Sequence, residues 1–512
     1  MPQLAKLPAA LLLAGLALAA PAPAQTARGT KRGVAYGYHS AADMQALASG
    51  LSWWYNWANQ PEAGAAGVYR GLGLDYVPMQ WGRNLGSSPV TAAALAPLIP
   101  AGAGYLLGFN EPNFLDQASL PPSQAAALWP QLQQVAQAKG LRLVSPAVNY
   151  CGNCVQENGV TYYSPVAYLD AFFAACPSCQ VDYIAVHTYV CEEKYLREKI
   201  AELKKYNKPI WLTEFACGDM PAGQITPAVQ QKYLLDAVNY LEKEPAIFRY
   251  AWFSGRNNQI PNINLLGGSG QLTALGQLYV SRPAGWEPGR LPAVAATASS
   301  QETGTTPAAN VADANINTRW ASQLGAGPQY VQLDFGSVQP IDRVLLTWEA
   351  AYATDYQLQT STTGTTWTTI RTVIGGDGGV DDHTGLQAQG RYLRVLATQR
   401  GTSYGYSLYE VEAFGPATPL AATPAANSAA LSLYPNPATS QATVAWVAAA
   451  AGLTRLTLTS ATGQVVHAQA VAAQAGANAT TLSLSGYAPG SYVLTVQPPG
   501  EAPRRVQVLK EN

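Results

Sequence analysis

The sequence predicts a multidomain protein: a (β/α)8 TIM barrel, then a β-sandwich, then a small C-terminal β-sandwich. Three observations predict this. From Gly33 to about Val280 short apolar runs alternate with helix-like segments, the pattern of parallel βα units. After about Leu291 helical periodicity disappears, and Thr, Tyr and Val alternate with polar residues. A chain of 512 residues is also too long for one ordinary domain.

Taken in order, residues 1–24 read as a secretory signal: Lys6, then "LPAALLLAGLALAA", then small residues at Ala22 to Ala24 for cleavage. The barrel is expected over residues 25–283. Its candidate strands are "GVAYGY", "LSWWYNW", "LDYVPMQW", "YLLGFN", "LRLVSPAV", "VDYIAVHTY", "PIWLTEF" and "FRYAWFS". Between them lie helical segments such as "PSQAAALWPQLQQVAQAKG", which stops on Gly140, and "TPAVQQKYLLDAVNYLEKE". Eight strands in about 250 residues is the size of a closed barrel. The rival, an open doubly wound sheet, is weakened because no glycine-rich phosphate loop follows the first strand. "SRPAGWEPGR" reads as a hinge. Residues 290–416 read as the larger sandwich, with strands in "QYVQLDFG", "DRVLLTWE", "DYQLQTST", "RYLRVLAT" and "YEVEAFG". A Pro/Ala/Thr linker follows over 417–430, and a β-rich tail over 431–512.

Charged residues are only 12% of the chain and the formal net charge is −1, with no basic run, so nothing here attracts nucleic acid or an anionic membrane. A polar, weakly charged surface suits a monomeric extracellular protein facing neutral ligands. All six cysteines lie between Cys151 and Cys217. The pairs in "CGNC" and "CPSC" allow a zinc site, but export favours disulfides. Cys191 and Cys217 follow two successive predicted strands, so a bridge between them is geometrically reasonable; the other pairing stays open.

The chemistry centres on two carboxylates. "YLLGFNEPNF" ends its strand on Asn110-Glu111, and "PIWLTEFACG" ends its strand on Glu214. In a (β/α)8 barrel the reactive groups sit at the C-terminal ends of the strands. Asn56, Trp57, Trp81, His187, Tyr189 and Trp252 fall at strand ends too, with His39 and Asn149. Polar groups among flat aromatic faces suit sugars, whose C–H faces stack on indole while their hydroxyls seek hydrogen bonds. Two carboxyls flanking a glycosidic bond define glycoside hydrolysis: about 5 Å apart for retention, roughly 6.5–9.5 Å for inversion. Asn110 is placed to hold the sugar 2-hydroxyl. In "WWYNW" alternation puts Trp53, Tyr55 and Trp57 on one face and Trp54 on the other, leaving Trp57 as the subsite candidate. No cofactor is expected for catalysis, since no His/Asp cluster with ligand spacing falls at the strand ends. The rival to an enzyme is an adhesin that binds polysaccharide without cutting it.

"GFNEPN", "WLTEFA" and "VDYIAVHTY", supported by "LSWWYNWANQP", "YVPMQWG", "LVSPAV" and "RYAWFSGR", resemble the barrel endo-β-1,3-glucanases of glycoside hydrolase family 128. The resemblance covers roughly Lys31 to Arg282. It implies Glu111 as acid/base, Glu214 as nucleophile, and a β-glucan polysaccharide such as laminarin or curdlan as substrate. Other β-glucans or mannan remain alternatives within the wider clan. Many fungal members carry His-Trp-Tyr where this chain has His187-Thr188-Tyr189.

"NVADANINTRWAS", "QYVQLDFG", "YQLQTSTTGTTWTTI" and "YSLYEVEAFG" resemble the discoidin, or coagulation factor type C, domain and the family 32 carbohydrate-binding modules. That resemblance implies a structural calcium held by Asp313, Thr318 and Glu410. Oxygen ligands suit calcium. Trp348, Glu349, Tyr352 and Tyr404 are the ligand candidates of this module. The tail, with Tyr434-Pro435-Asn436-Pro437 and Gly490-Ser491-Tyr492, resembles the C-terminal sorting domain of the type IX secretion system. It implies the secretion machinery as partner and an extracellular or outer-membrane-surface location.

Overall fold

In the computed structural model the described residues are 29–416, except 288 and 326, and 431–511, except 435, 437, 461–464 and 502. The expected signal (1–24), linker (417–430), Pro435 and Pro437 lie outside them. The chain divides into two compact units, Met1–Ala417 and Thr418–Asn512.

The first unit begins with eight parallel strands: β1 (Arg32–Ala35), β2 (Trp53–Tyr55), β3 (Asp75–Tyr76), β4 (Tyr105–Leu107), β5 (Arg142–Val144), β6 (Ile184–Thr188), β7 (Ile210–Phe215) and β8 (Ile247–Phe253). Neighbours pair in chain order and β8 pairs back to β1. Single parallel bridges join β3 to β4 (Met79 with Leu107) and β5 to β6 (Val144 with Tyr183). The barrel is therefore closed.

Its interior is filled from below, as small barrels require. The Arg249 guanidinium lies 4.9–5.8 Å from the ring centres of Tyr105, Trp211, Trp53 and Phe248, and pairs with Asp75 at 2.6 Å. Above it Tyr55, Met79, Leu107, Val144, Ala185 and Ala251 close the core. The outer face of the strands packs on helices, of which α1 (Pro122–Lys139), α2 (Pro165–Ala175), α3 (Glu193–Leu203) and α4 (Pro227–Lys243) are the longest. Their ends follow the sequence. α1 stops at Gly140, whose φ of 68° favours glycine, and α4 starts at Pro227 behind a Thr226 cap.

The sandwich consists of β9 (Ala295–Ala298), β10 (Trp320–Ala321), β11 (Gln329–Ile341), β12 (Arg343–Trp348), β13 (Ala353–Ser361), β14 (Thr368–Val373), β15 (Val380–His383), β16 (Ala388–Arg400) and β17 (Ser407–Phe414). Five strands form one sheet, in the order β9-β11-β16-β13-β14, and four the other, β10-β17-β12-β15. Trp320, Leu333, Val344, Leu346, Leu358, Val395 and Leu408 fill the space between.

"SRPAGWEPGR" is not a free hinge. The Gly285 N–H donates to Glu242 at 3.1 Å, Glu287 pairs with Arg343, and Trp286 is flanked by Lys243 and Arg290. The two domains are docked. Lys243 and Glu412 form an ion pair with side chains 3% and 0% exposed. Arg197 lies against the rings of both Tyr240 and Tyr409, and donates to the Ile316 carbonyl at 2.7 Å. Ile316, a sandwich residue, is buried in the barrel's own apolar cluster.

The second unit is a separate pair of antiparallel sheets, of three and four strands. Val444, Trp446, Leu456, Leu458, Leu482, Leu494 and Val508 form its core. Asn436 bonds the backbone of Gln507 and Leu509, and the buried Tyr492 donates to the Ala488 carbonyl at 2.7 Å.

Candidate active site

Glu214 reaches the barrel mouth through a defect in its strand. On β7, Trp211 faces the barrel interior and Leu212 the helices. Simple alternation would send Glu214 outward with Leu212. The register between β6 and β7 shifts after Val186, so that Val186 pairs with Leu212 but His187 pairs with Glu214. Thr213 is the extra residue of this β-bulge, a device that re-aims the side chain after it. Glu214 consequently points inward and Phe215 outward. Glu111 is turned by its own backbone, at φ 41°, and Trp57 sits at φ 59°. These are left-handed conformations that side chains adopt at a cost of about 1–3 kcal/mol, typically where surrounding structure enforces them. The Glu111 N–H bonds the Ala147 carbonyl at 2.7 Å, which fixes that turn to the loop after β5.

The two carboxylates meet across His187. One oxygen of Glu111, one of Glu214 and one His187 nitrogen all lie within 4.8 Å of one another. His187 Nδ1 is 3.0 Å from Glu111 Oε1 and 3.5 Å from Glu214 Oε2. Asn149 donates to Glu111 Oε1 at 2.9 Å. Tyr55 and Trp57 each donate to Glu214 Oε1 at 2.8 Å, and Tyr189 donates to its Oε2. Burial first, and then the Glu214 charge, pushes the Tyr55 and Tyr189 hydroxyls far up, so both remain protonated donors.

Burial acts on Glu111 and His187 as well, but the partners outweigh it. For Glu111 burial raises the carboxyl, while the His187 hydrogen bond and charge and the Asn149 donor bring it below the usual range. For His187 burial lowers the imidazole, while Glu214 and Glu111 raise it. The cluster thus keeps a proton at His187 between two carboxylates. The same three side chains are the only group of His, Cys, Asp or Glu among the described residues close enough to hold a metal ion. The sequence reading saw no such cluster because Glu111, His187 and Glu214 come from three different strands. Both oxygens of Glu214 and Oε1 of Glu111 are already engaged by O–H and N–H donors from Tyr55, Trp57, Tyr189 and Asn149, which satisfy carboxylates without an ion.

Around the pair opens a groove of about 450 Å3 walled by Trp57, Trp81, Phe114, Tyr189 and Phe253, with Asn110, Gln117, Asn149 and Gln259 as polar groups. Asn110 is 4% exposed, its Nδ2 bonds Gln117 at 3.3 Å, and its Oδ1 has no protein partner.

Three barrel residues singled out by sequence lie elsewhere, and the first, His39, is buried with its Nδ1 on Glu62 at 2.5 Å. Trp252 is wholly buried against Phe215, Tyr233 and Tyr279, and its indole donates to the Ile263 carbonyl. On β8 the residues facing inward are Arg249, Ala251 and Phe253, so Phe253 takes the groove position. The alternation in "RYAWFS" was legible, but its phase was not. Asn56 is occupied by its own loop. Its Nδ2 donates to Gln60 and Glu62, and its Oδ1 accepts from Tyr76 and Ala58. Tyr55, Phe114, Gln117 and Gln259 were not singled out as site residues. Only Tyr55 carried a signal, through the face it shares with Trp57.

All six cysteines are paired: Cys151–Cys154, Cys176–Cys179 and Cys191–Cys217. The last ties the loop after Tyr189 to the loop after Glu214, and the first follows Asn149 directly.

In the sandwich, Trp348 is core. It is 3% exposed, packs on Tyr356, and donates to Asp381 at 2.8 Å. Glu349 and Tyr404 line a surface cavity of about 220 Å3 with Glu302 and Arg319. Tyr352 faces a different cavity, at the junction with the barrel. Of the three residues expected to hold calcium, Thr318 donates to Asp313 at 2.8 Å, and the Asn315 N–H donates to both Asp313 and Glu410. Glu410 is fully buried, and its nearest cation is Arg290 at 3.5 Å. Burial, then Glu412, pushes its carboxyl up to about 8.

Family models match three segments. Residues 33–279 match the glycosyl hydrolase catalytic core, 295–411 the F5/8 type C domain, and 432–505 the secretion system C-terminal sorting domain. Among solved structures the chain is 49% identical to a GH128 (subgroup II) endo-β-1,3-glucanase from Sorangium cellulosum, covering 50% of this chain and 99% of that one, with a TM-score of 0.45. It is 47% identical to chitosan-binding module 1 of a chitosanase/glucanase from Paenibacillus sp. IK-5, covering 24% of this chain and 96% of that one, with a TM-score of 0.24. Alkali-sensitive linkage protein 1 of Schizosaccharomyces pombe is 30% identical over 242 residues, which are 45% of this chain and 40% of that protein. The chain thus spans well under half the length of this curated relative.

Proposed function

Through its barrel the chain belongs to glycoside hydrolase family 128, and we propose that it is a secreted, retaining endo-β-1,3-glucanase. The observation that carries the mechanism is the approach of Glu111 and Glu214 to within 4.8 Å, with His187 between them. That spacing belongs with retention at about 5 Å, since inversion needs roughly 6.5–9.5 Å to admit a water. The substrate class rests on the 49% identity to the Sorangium endo-β-1,3-glucanase over nearly its whole length.

The steps follow from the donors. Glu214, held by Tyr55, Trp57 and Tyr189, attacks the anomeric carbon and forms a glycosyl ester. Glu111 gives its proton to the departing glycosidic oxygen. Its Oε1 is occupied by Asn149 and His187, which leaves Oε2 for the sugar. The proton that Glu111 delivers comes from His187 Nδ1, 3.0 Å away, so the first step leaves His187 neutral and Glu111 an ionised base, and the proton that Glu111 later takes from water returns to His187. In the second step Glu111 takes a proton from water, the water oxygen bonds the anomeric carbon, and Glu214 leaves as carboxylate. Trp57, Trp81 and Phe253 supply flat faces for the sugar rings, and the free Oδ1 of Asn110 accepts a sugar hydroxyl.

The sandwich is a carbohydrate-binding module. Its cavity of Glu302, Arg319, Glu349 and Tyr404, and the likeness to a chitosan-binding module, favour a sugar that carries amino groups. Asp313, Thr318 and Glu410 form an oxygen-only donor set around a buried carboxylate whose protein cation, Arg290, stands at 3.5 Å, which fits a structural calcium. A chelator should then lower the melting temperature of the full chain, and added calcium should restore it. The tail domain directs type IX secretion to the outside of the cell.

The test is product analysis on linear β-1,3-glucan, with cellulose, mannan and mixed-linkage glucan in parallel, for wild type and Glu214→Gln. Release of β-1,3-oligosaccharides by wild type alone supports substrate and nucleophile together. Cleavage of another polymer keeps the mechanism and discards the substrate. Binding without any cleavage makes the protein an adhesin.

A further inference from the structure

Where barrel and sandwich meet they enclose a cavity of about 390 Å3. Its barrel wall carries Glu192, Glu193, Tyr233 and Asp236, and its sandwich wall carries Glu349 and Asp377. Three cations stand against these five carboxylates, a formal balance of −2: Lys194 pairs with Glu192 at 2.7 Å, Arg197 pairs with Glu193 from behind the wall, and Lys232 serves two acids. Lys232 is shared, 3.3 Å from Asp236 and 3.5 Å from Asp377, and Glu349 meets only the Ala351 N–H.

A cluster of acids alone is no site, but a second observation points the same way. Tyr233 lines this cavity at 2% exposure, and its hydroxyl has no hydrogen-bond partner. Buried hydroxyls are normally satisfied, so this one awaits a group that the protein does not supply. The acids are spread along the walls. Among the described residues they form no group of three close enough to share an ion, so the missing charge is distributed rather than a single metal. Burial raises Glu193 against the pull of its partner Arg197, and raises Asp236 to about 7 against Lys232, so both are carboxylates held away from water.

The cavity also adjoins the sandwich's own, because Glu349 and Ala350 line both. At its other end it reaches Cys191 and Met220, in the loops that follow Tyr189 and Glu214. We propose that this junction is a second saccharide subsite, built jointly by barrel and sandwich, for a polysaccharide bearing free amino groups. One chain held at Tyr404 would pass Glu349, enter the junction, and offer its ammonium groups to Glu192 and Asp377 and a hydroxyl to Tyr233. The inference rests on the reading of the sandwich as a sugar-binding module.

The experiment measures affinity of the full chain, by calorimetry, for glucosamine β-1,4-oligomers of two and six units, for the N-acetylated hexamer, and for a β-1,3-glucan hexamer. Glu192→Gln/Asp377→Asn removes the exposed junction charges, and Tyr404→Ala removes the sandwich contact. The expected result is a roughly tenfold loss of glucosamine-hexamer affinity in the double variant, with the dimer unchanged, and loss of both in Tyr404→Ala. An unchanged hexamer in the double variant, with loss in Tyr404→Ala, overturns the junction subsite and leaves the module reading standing. Loss in the double variant with no effect of Tyr404→Ala does the reverse. Equal affinity for a neutral hexamer overturns the amino-sugar class.

Discussion

Replacing Tyr55 by Phe isolates one hydrogen bond to the nucleophile. The hydroxyl donates to Glu214 Oε1 at 2.8 Å from the wholly buried end of β2. The ring stacks on Trp53 at 6.0 Å and edges against Trp57 at 5.5 Å, contacts that Phe keeps. No carboxylate oxygen is orphaned, because Trp57 Nε1 still donates to Oε1 and Tyr189 to Oε2. The loss is therefore that of one hydrogen bond to a charged acceptor, about 1.5–3 kcal/mol. If it falls on orientation of the attacking oxygen, kcat/KM drops about ten- to hundredfold, since 1.4 kcal/mol is a factor of ten. Initial rates on a soluble β-1,3-glucan, with reducing ends counted over a range of substrate, measure it. The decrease should appear in kcat, with the melting temperature nearly unchanged. A change below twofold, or one confined to KM, refutes the assignment of Tyr55 as a positioning residue for Glu214.

The other predictions concern protons and staples. His187 is raised by Glu214 and Glu111 against burial, so the proton it stores is present below its folded pKa and lost as pH rises through it. His187→Asn should lower kcat and move the alkaline limb of the pH–rate profile to lower pH; a limb that stays in place sinks the proton-store role. Breaking Cys191–Cys217, 26 residues apart, as the double serine variant should cost about 3.5 kcal/mol by loop entropy and lower kcat as well as stability, read by urea melts and rates. For Asp236, burial raises the folded carboxyl from 3.8 to about 7, so the native state holds its proton more tightly and stability falls as pH rises across that window. Asp236→Asn should remove that decline, narrowing the stability difference between pH 5 and pH 8 by up to about 2.7 kcal/mol in urea melts, the share of the window that lies above pH 5.

The eight barrel strands could be read because each is a short apolar run between helix signals, and because two helices carry their own boundary marks, a stop at Gly140 and a start at Pro227. The sandwich strands were legible for the complementary reason, alternation without helical periodicity. What sequence could not supply was phase. Nothing in "RYAWFS" says whether Trp252 or Phe253 faces the groove, since both are aromatic and the answer depends on where β8 sits against β1. For Glu214 strict alternation with Trp211 would have pointed the wrong way. The strand-end argument succeeded there because Thr213 bulges, a backbone feature with no residue signature. Trp348 failed for a similar reason: its indole finds Asp381 on a neighbouring strand and is satisfied indoors. The supposed hinge failed because Pro and Gly mark irregular backbone, whereas Trp286 and Glu287 within it anchor both domains.

The buried seam between barrel and sandwich limits how this protein can be cut or shuffled. A barrel ending near residue 283 would lose Glu412 and turn Lys243, only 3% exposed in the intact seam, out to water. It would also uncover the socket of Ile316, whose burial contributes about 1.5–3 kcal/mol. The sandwich, transplanted alone, would carry the mirror defects: Glu412 stripped of its lysine, and Ile316 and Tyr409 turned to water. Recombination at the obvious Pro-Gly seam would thus yield two invalids from one healthy parent. The heritable cassette is the pair, and the permissive splice point lies after Ala417, where the compact unit ends.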